Sequence, residues 1–319
     1  MKNSMLYYSV GALLYCPANN EGIVNSIINE KFGKKFSLAL CLEDTIGDNC
    51  VTEAENILVH SIQTIYNEKQ KKNFFLPKIF IRVRNSEQIT ALLKKFGSAS
   101  EIIKGFIIPK FSLDNADEYI ETIVSINNSN KEFYMLPIFE SPTIINLQNR
   151  HKILYTLKDK LDTVENLVLN IRVGGNDLCH MFGFRRNSNQ SIHNIRPISN
   201  IFSDIITVYG MDYVVSGPVW EYYSGENWDT GLLNELQEDR LCGFVGKTVI
   251  HPNQIELVNS AYKVSKKDLD DAKSILNWDE SSSFFVSGSV LKERMNEYKT
   301  HSNWALKTVM LSEVFGIVD

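Results

Sequence analysis

The chain has 319 residues, 44% apolar and 22% charged, and a net charge of −5. These proportions belong to a globular protein, and the acidic balance gives no footprint for nucleic acid. No run of about 18 apolar residues marks a membrane span. The five cysteines are odd in number and lack CxxC spacing, which argues against a disulfide framework or structural zinc site. With no signal-type apolar region near the start, a cytoplasmic protein is expected.

Short apolar runs alternate with helical periodicity up to about residue 262. SVGALLYCPA (9–18) predicts a strand followed by a helix over 21–31, and SLALCLED (37–44) a strand followed by a helix over 51–69. KIFIRVRN (78–85) precedes a helix over 86–96, and GFIIPK (105–110) precedes one over 112–126. YMLPIFE (134–140), NLVLNIRV (166–173), DYVVSGPV (212–219) and GKTVI (246–250) continue the series, with helical stretches at 143–161, 195–209, 231–239 and 252–264. Eight strand–helix units in order fit an α/β fold, a closed (β/α)8 TIM barrel, better than an open sheet. The expected division is a barrel domain over 1–262 and a C-terminal helical extension over 263–319. Within that tail, 265–280 reads as a charged amphipathic helix, 281–289 as a loop and 290–315 as one or two helices.

Polar residues gather where the strands end, which is how a barrel builds an active face. Glu140 closes YMLPIFE, and Asp177 follows NLVLNIRVGGND. A carboxylate there is costly unless a cation or hydrogen bonds compensate it. Two on successive strands suggest hard oxygen ligands for Mg²⁺, which takes one or two from protein; the plainer alternative is a surface carboxylate or helix cap. In KIFIRVRN, Arg82 and Arg84 share a face with Phe80, opposite Ile79, Ile81 and Val83, an arrangement tolerable if that face is the polar mouth. Glu43 and Asp44 end the second strand, Pro109 and Lys110 the fourth. Ser216, Gly217 and Pro218 end the seventh and are small enough to leave room for a substrate.

LEDTIGD (42–48), FIRVRN (80–85), GFIIPK (105–110), PIFES (137–141), VGGNDLCHMFG (173–183) and GFVGKTVIHPNQI (243–255) occur in family order and spacing. Through them the chain resembles the HpcH/HpaI aldolase and citrate lyase beta-subunit-like family over most of residues 8–262. The resemblance implies a TIM barrel that uses Mg²⁺, or Mn²⁺, to make or break a carbon–carbon bond beside a carbonyl. It implies an oxo acid or a CoA thioester as substrate, and a homo-oligomer. By position it makes Glu140 and Asp177 metal ligands and Arg82 the arginine that steadies an enolate. Glu43 and Asp44 would orient Arg82 or metal waters, or else form a rim ion pair.

Gly174 and Gly175 would bring the backbone close enough for turn amides to bind a substrate carboxylate, with Asn176 beside them and Ser216 across the mouth. Arg84 stands where relatives carry a small polar residue and could receive an extra anionic group. Lys110 would meet an acyl or phosphate group, or bridge to Glu140. Cys179 and His180 would shape the pocket, and His251 would serve as proton donor or cap the next helix. Two departures stand out. GSVLK (288–292) puts Lys292 where acyl-CoA-using relatives carry an aspartate, and 182–197 is basic, with Arg185, Arg186 and Arg196. These keep two alternatives open: a lyase for a phosphorylated or nucleotide-like substrate, and a barrel that binds without turnover.

Overall fold

The computed structural model describes residues 2, 4–128, 131–279, 281 and 283–318. A short helix α1 (Met5–Tyr8) leads into β1 (Ala12–Pro17), α2 (Gly22–Ile28), β2 (Ser37–Cys41), α3 (Val51–Lys71) and β3 (Lys78–Arg82). Next come α4 (Ser86–Phe96), β4 (Ile103–Ile108), α5 (Ala116–Ile126), β5 (Tyr134–Phe139), α6 (Arg150–Asp162) and β6 (Ile171–Val173). The barrel is completed by α7 (Gly175–Met181), α8 (Arg196–Tyr209), β7 (Val215–Ser216), α9 (Trp228–Cys242), β8 (Lys247–Val249) and α10 (Asn253–Ala261). These eight strands form one sheet in sequence order, with β8 returning to pair parallel with β1. A bridge between Gly217 and Lys247, and a 3.0 Å bond from Gly217 N–H to the Gly246 carbonyl, join β7 to β8 and close the barrel.

Strand parity sorts the core. Leu13, Ala39, Phe80, Ile107, Leu136 and Ile138 fill the lumen, while Leu14, Leu38, Leu40, Ile79, Ile81, Phe106 and Ile108 face the helices. Strands buried on both faces read as nearly continuous apolar runs, which is why all eight were visible. The helices follow equally local rules. In α4 the Asn85 side chain accepts from Gln88 N–H, Ile89, Leu92 and Phe96 lie on the buried face, and Gly97 ends the helix at φ 56°.

At the sixth strand the register slips by one. Met135 pairs with Val168 but Ile138 with Arg172, so three steps on β5 match four on its neighbour. This bulge at Leu169–Asn170 turns Arg172 into the lumen beside Ile138.

Several boundaries differ from expectation. Helix α5 starts at Ala116 rather than 112, and α6 at Arg150 rather than 143 because a 3₁₀ turn over Pro142–Ile144 intervenes. Helix α7 was not anticipated. The tail consists of β9 (Val264–Ser265), α11 (Lys266–Leu276), β10 (Val286–Gly288), β11 (Met295–Glu297), α12 (Tyr298–Phe315) and β12 (Ile317–Val318). An antiparallel β10–β11 hairpin thus occupies stretches expected as loop and helix; residues 280 and 282, which those expectations included, lie outside the described ones. The buried Asp271 carboxylate holds the hairpin, accepting from Val290 N–H at 2.9 Å and from Arg294. Phe315 packs on Tyr262 near Gly11, and Lys307 reaches the Gly243 carbonyl. The tail therefore lies at the N-terminal ends of β1 and β8 and leaves the opposite mouth open.

Candidate active site

At the C-terminal end of β3, Arg82 lies in register with Cys41 and Ile107 and is only 8% exposed. Its Nη2 contacts three carboxylates: Glu43 Oε2 at 2.6 Å, Asp44 Oδ2 at 2.8 Å and Glu140 Oε1 at 3.0 Å. Burial opposes its charge, but Glu140 foremost, then Tyr15 and Glu43, hold the guanidinium above its ordinary range. Its Nε is buried with no hydrogen-bond partner among the described residues. Lys110, at φ 48° in the turn after β4, bridges the rim: its ammonium meets Glu43 and, at 3.0 Å, Asp44. Its contact with Glu140 is through the backbone, whose N–H donates to Oε1 at 3.1 Å. Burial raises the Glu43 carboxyl against the pull of Arg82 and Lys110. Burial also opposes ionisation of Asp44, yet contact with Glu43 and the two cations hold that group below its usual value.

Glu140 follows β5 and is 3% exposed. Burial chiefly, with the Asp177 charge adding and Arg82 restraining, pushes its carboxyl up to about 8. Among the described residues its Oε2 takes no hydrogen bond. It lies against Gly174, where an added Cβ would stand 2.1 Å from that oxygen. Gly174 is thus needed for close approach. Gly175 and Asn176 open helix α7, the first buried and the second exposed, and half-buried Asp177 sits in its first turn. The Glu140 carboxylate with its bare Oε2, and the Asp177 carboxylate whose charge raises it, supply oxygen donors suited to a hard divalent cation. Among the described residues no cluster of three or more His, Cys, Asp or Glu is arranged for a metal.

The remaining candidates separate. β3 ends at Arg82, so Arg84 leaves the lumen; it ion-pairs with Asp48 and donates to the Leu42 and Ile46 carbonyls at 3.3 Å. Ser216 faces inward but is fully buried, its hydroxyl donating to the Val245 carbonyl at 2.7 Å. The basic segment is anchored from within: Arg186, 2% exposed, meets Glu235 at 3.1 Å, while exposed Arg185 reaches Glu221 at 3.5 Å. His251 stacks on Tyr223 and accepts from Asn253 N–H at 3.2 Å, at the start of α10. Lys292 turns the tail hairpin at φ 57°. Cys179 is buried and His180 exposed.

Two lumen residues escaped sequence reasoning. Burial raises the Tyr15 phenol while Arg82 and Arg172 draw it back, which places its hydroxyl near both. Arg172 is 1% exposed. Polar residues alternating with Ile171 and Val173 hinted at a shared face, but not which one.

Comparison with known proteins places these features. The family described as C–C bond lyase of the TIM-barrel fold matches residues 4–317. The citrate lyase beta subunit of Haemophilus influenzae is 39% identical over 54 residues, 17% of this chain and 19% of that protein. The matched stretch therefore spans about a fifth of the relative. Among solved structures, CitE of Mycobacterium tuberculosis in complex with magnesium, acetoacetate and coenzyme A superposes with a TM-score of 0.62 at 16% identity, over 97% of this chain and 99% of that one. RipC of Yersinia pestis superposes with a TM-score of 0.53 at 13% identity, over 80% and 95%. At those identities the structures speak for the fold, and the near-complete family match decides the rest: the chain belongs to the carbon–carbon bond lyases of the TIM-barrel fold.

Proposed function

We propose that this enzyme makes or breaks a carbon–carbon bond beside a carbonyl through an enolate, acting on an oxo acid or a CoA thioester. The observation that carries the reading is the meeting of buried Glu140 and Arg82 with half-buried Asp177 at the C-terminal mouth of the barrel. Glu140 and Asp177 would hold Mg²⁺ or Mn²⁺, which when bound supplies Lewis-acid polarisation of a carbonyl oxygen. Magnesium, acetoacetate and coenzyme A in the M. tuberculosis neighbour agree with this assignment.

Arg82 is fixed by Glu43 and Asp44 before substrate arrives and keeps Nε–H unpaired. It is therefore placed to stabilise the oxygen on which negative charge grows, without reorganising. Lys110 balances the two acids that hold it. Gly174 gives Glu140 its room, and the α7 backbone from Gly175 to Asp177 borders the substrate. Arg84 and Arg186 are engaged elsewhere and lend nothing to a phosphorylated-substrate reading. We assign 1–262 as catalytic domain and 263–319 as an extension whose exposed Val290, Leu291 and Met295 contact another copy in a homo-oligomer; a monomer by light scattering would remove that last assignment.

The deciding experiment is Mg²⁺-dependent deuterium exchange, followed by NMR, into the methyl groups of pyruvate and of acetyl-CoA. Exchange into one of them should fall by about 100-fold or more in Asp177→Asn. No exchange into either, or full exchange in the variant, overturns the reading.

A further inference from the structure

Arg172 has hydrogen bonds but no counter-charge. Its Nη1 donates to Asn170 Oδ1 at 3.1 Å and its Nη2 to Thr248 Oγ1 at 2.6 Å. Among the described residues no carboxylate pairs with it, and the Tyr15 phenol is the titratable neighbour that acts on it. Neutral acceptors satisfy N–H groups, yet they do not offset the several kcal/mol needed to desolvate a full charge. A barrel interior is an expensive place for such a group unless an anion arrives.

Two of the residues around it, Thr248 and Tyr15, are only partly buried. Thr248 is in register with Leu13 of the lumen, and its neighbours Lys247 and Val249 are fully buried on the outer side. Thr248 itself keeps accessible surface, as does Tyr15, two residues beyond Leu13 on the same face. That surface belongs to the lumen. Arg172 lies in register with Ile138, one pleat deeper than Glu140 and Gly174. A molecule with its carbonyl end at Glu140, Asp177 and Arg82 would extend past Tyr15 toward the Arg172 guanidinium.

We propose that Arg172 receives a second anionic group of the substrate, a carboxylate or a phosphate-type group, at the lumen floor. The inference rests on the enolate reading and narrows its substrates to oxo acids carrying a further anion. A guanidinium fork matches both groups bidentately, as an ammonium does not. It also gives the site the extra anion receptor that Arg84, turned toward Asp48, does not provide.

The test uses the full chain with Mg²⁺ and three probes: 2-oxopentanoate, 2-oxoglutarate of the same carbon length, and 3-phosphonopyruvate. Calorimetry on the wild type should show one or both dianionic acids binding about ten-fold or more tightly than 2-oxopentanoate; the tighter one identifies carboxylate or phosphate as the fitting group. In Arg172→Met the three should bind alike. In Arg172→Lys the preference should shrink without vanishing. A preference kept intact in Arg172→Met overturns the proposal; if that variant does not fold, an intact preference in Arg172→Lys does so. If the wild type binds none of the three, the enolate reading has failed, and thermal midpoints with added inorganic phosphate decide the anion site alone. Protection of the wild type that the folded variant lacks upholds it, and equal or absent protection discards it.

Discussion

Gly174 shows how one missing side chain sets the chemistry of another. Glu140 is pressed so closely against it that a Cβ would stand 2.1 Å from Oε2 and 2.3 Å from the glutamate Cβ. Gly174→Ala should therefore displace the carboxylate. We expect Mg²⁺ affinity by calorimetry to fall about ten-fold or more, with a stability loss of about 1–3 kcal/mol from overpacking; unchanged affinity would show that Glu140 is not held there for metal. At this scale the sequence was partly legible. Glu140 and Arg82 announced themselves because charge at the end of an apolar strand has few places to go. Arg84 looked equivalent to Arg82 by alternation, but the strand stops at Arg82 and the next residues turn away.

At the scale of elements, the segment from 183 to 195 gains its position from a buried charge cluster. Lys247 on β8 is fully buried between Glu235 Oε1 at 2.9 Å and Asp239 Oδ2 at 2.6 Å, both on α9. Arg186 and the Ile192 N–H reach the same Glu235, and His193 Nε2 meets Asp239 at 2.7 Å. Lys247→Met would remove the cation shared by the two buried carboxylates, leaving Glu235 to Arg186 and Asp239 to His193, at a cost of about 3–5 kcal/mol. Chemical denaturation should show that loss, and limited proteolysis should cut first between 183 and 195; a wild-type midpoint would refute the anchoring role. Basic composition alone kept open a loop that meets a phosphorylated substrate. What reversed this was the burial of Arg186 against residues about fifty positions away.

For the whole molecule, the raised Glu140 carboxyl links stability to pH. Its ordinary value of 4.5 rises to about 8 in the fold, so the folded protein holds this proton more tightly than the unfolded chain does. The corresponding stability is fully present below about pH 4.5 and is lost as pH rises through about 8. Glu43, also raised by burial, acts in the same sense. Metal-free protein should therefore become less stable between pH 5 and 8 by denaturant titration, Glu140→Gln should flatten that slope, and Mg²⁺ binding near pH 7 should release a proton. A stability that rises across this window would contradict the burial of a protonated Glu140.

Periodicity is a local property, and it was enough for the eight strand–helix units, their order, and the carboxylates and arginine at strand ends. A strand buried on both faces must be apolar almost throughout, so any charge at its end is conspicuous. Partnership is not local. The bridge from Lys110 to Glu43 and Asp44 joins two strand ends across the rim. The one-residue bulge before β6 decided that Arg172 enters the lumen, because a single inserted residue exchanges the two faces of every position that follows. Closure of β8 onto β1 then placed Tyr15 and Thr248 around it. Which cations meet which anions was set by the closed barrel, since distances across its mouth follow from strand register and not from spacing along the chain.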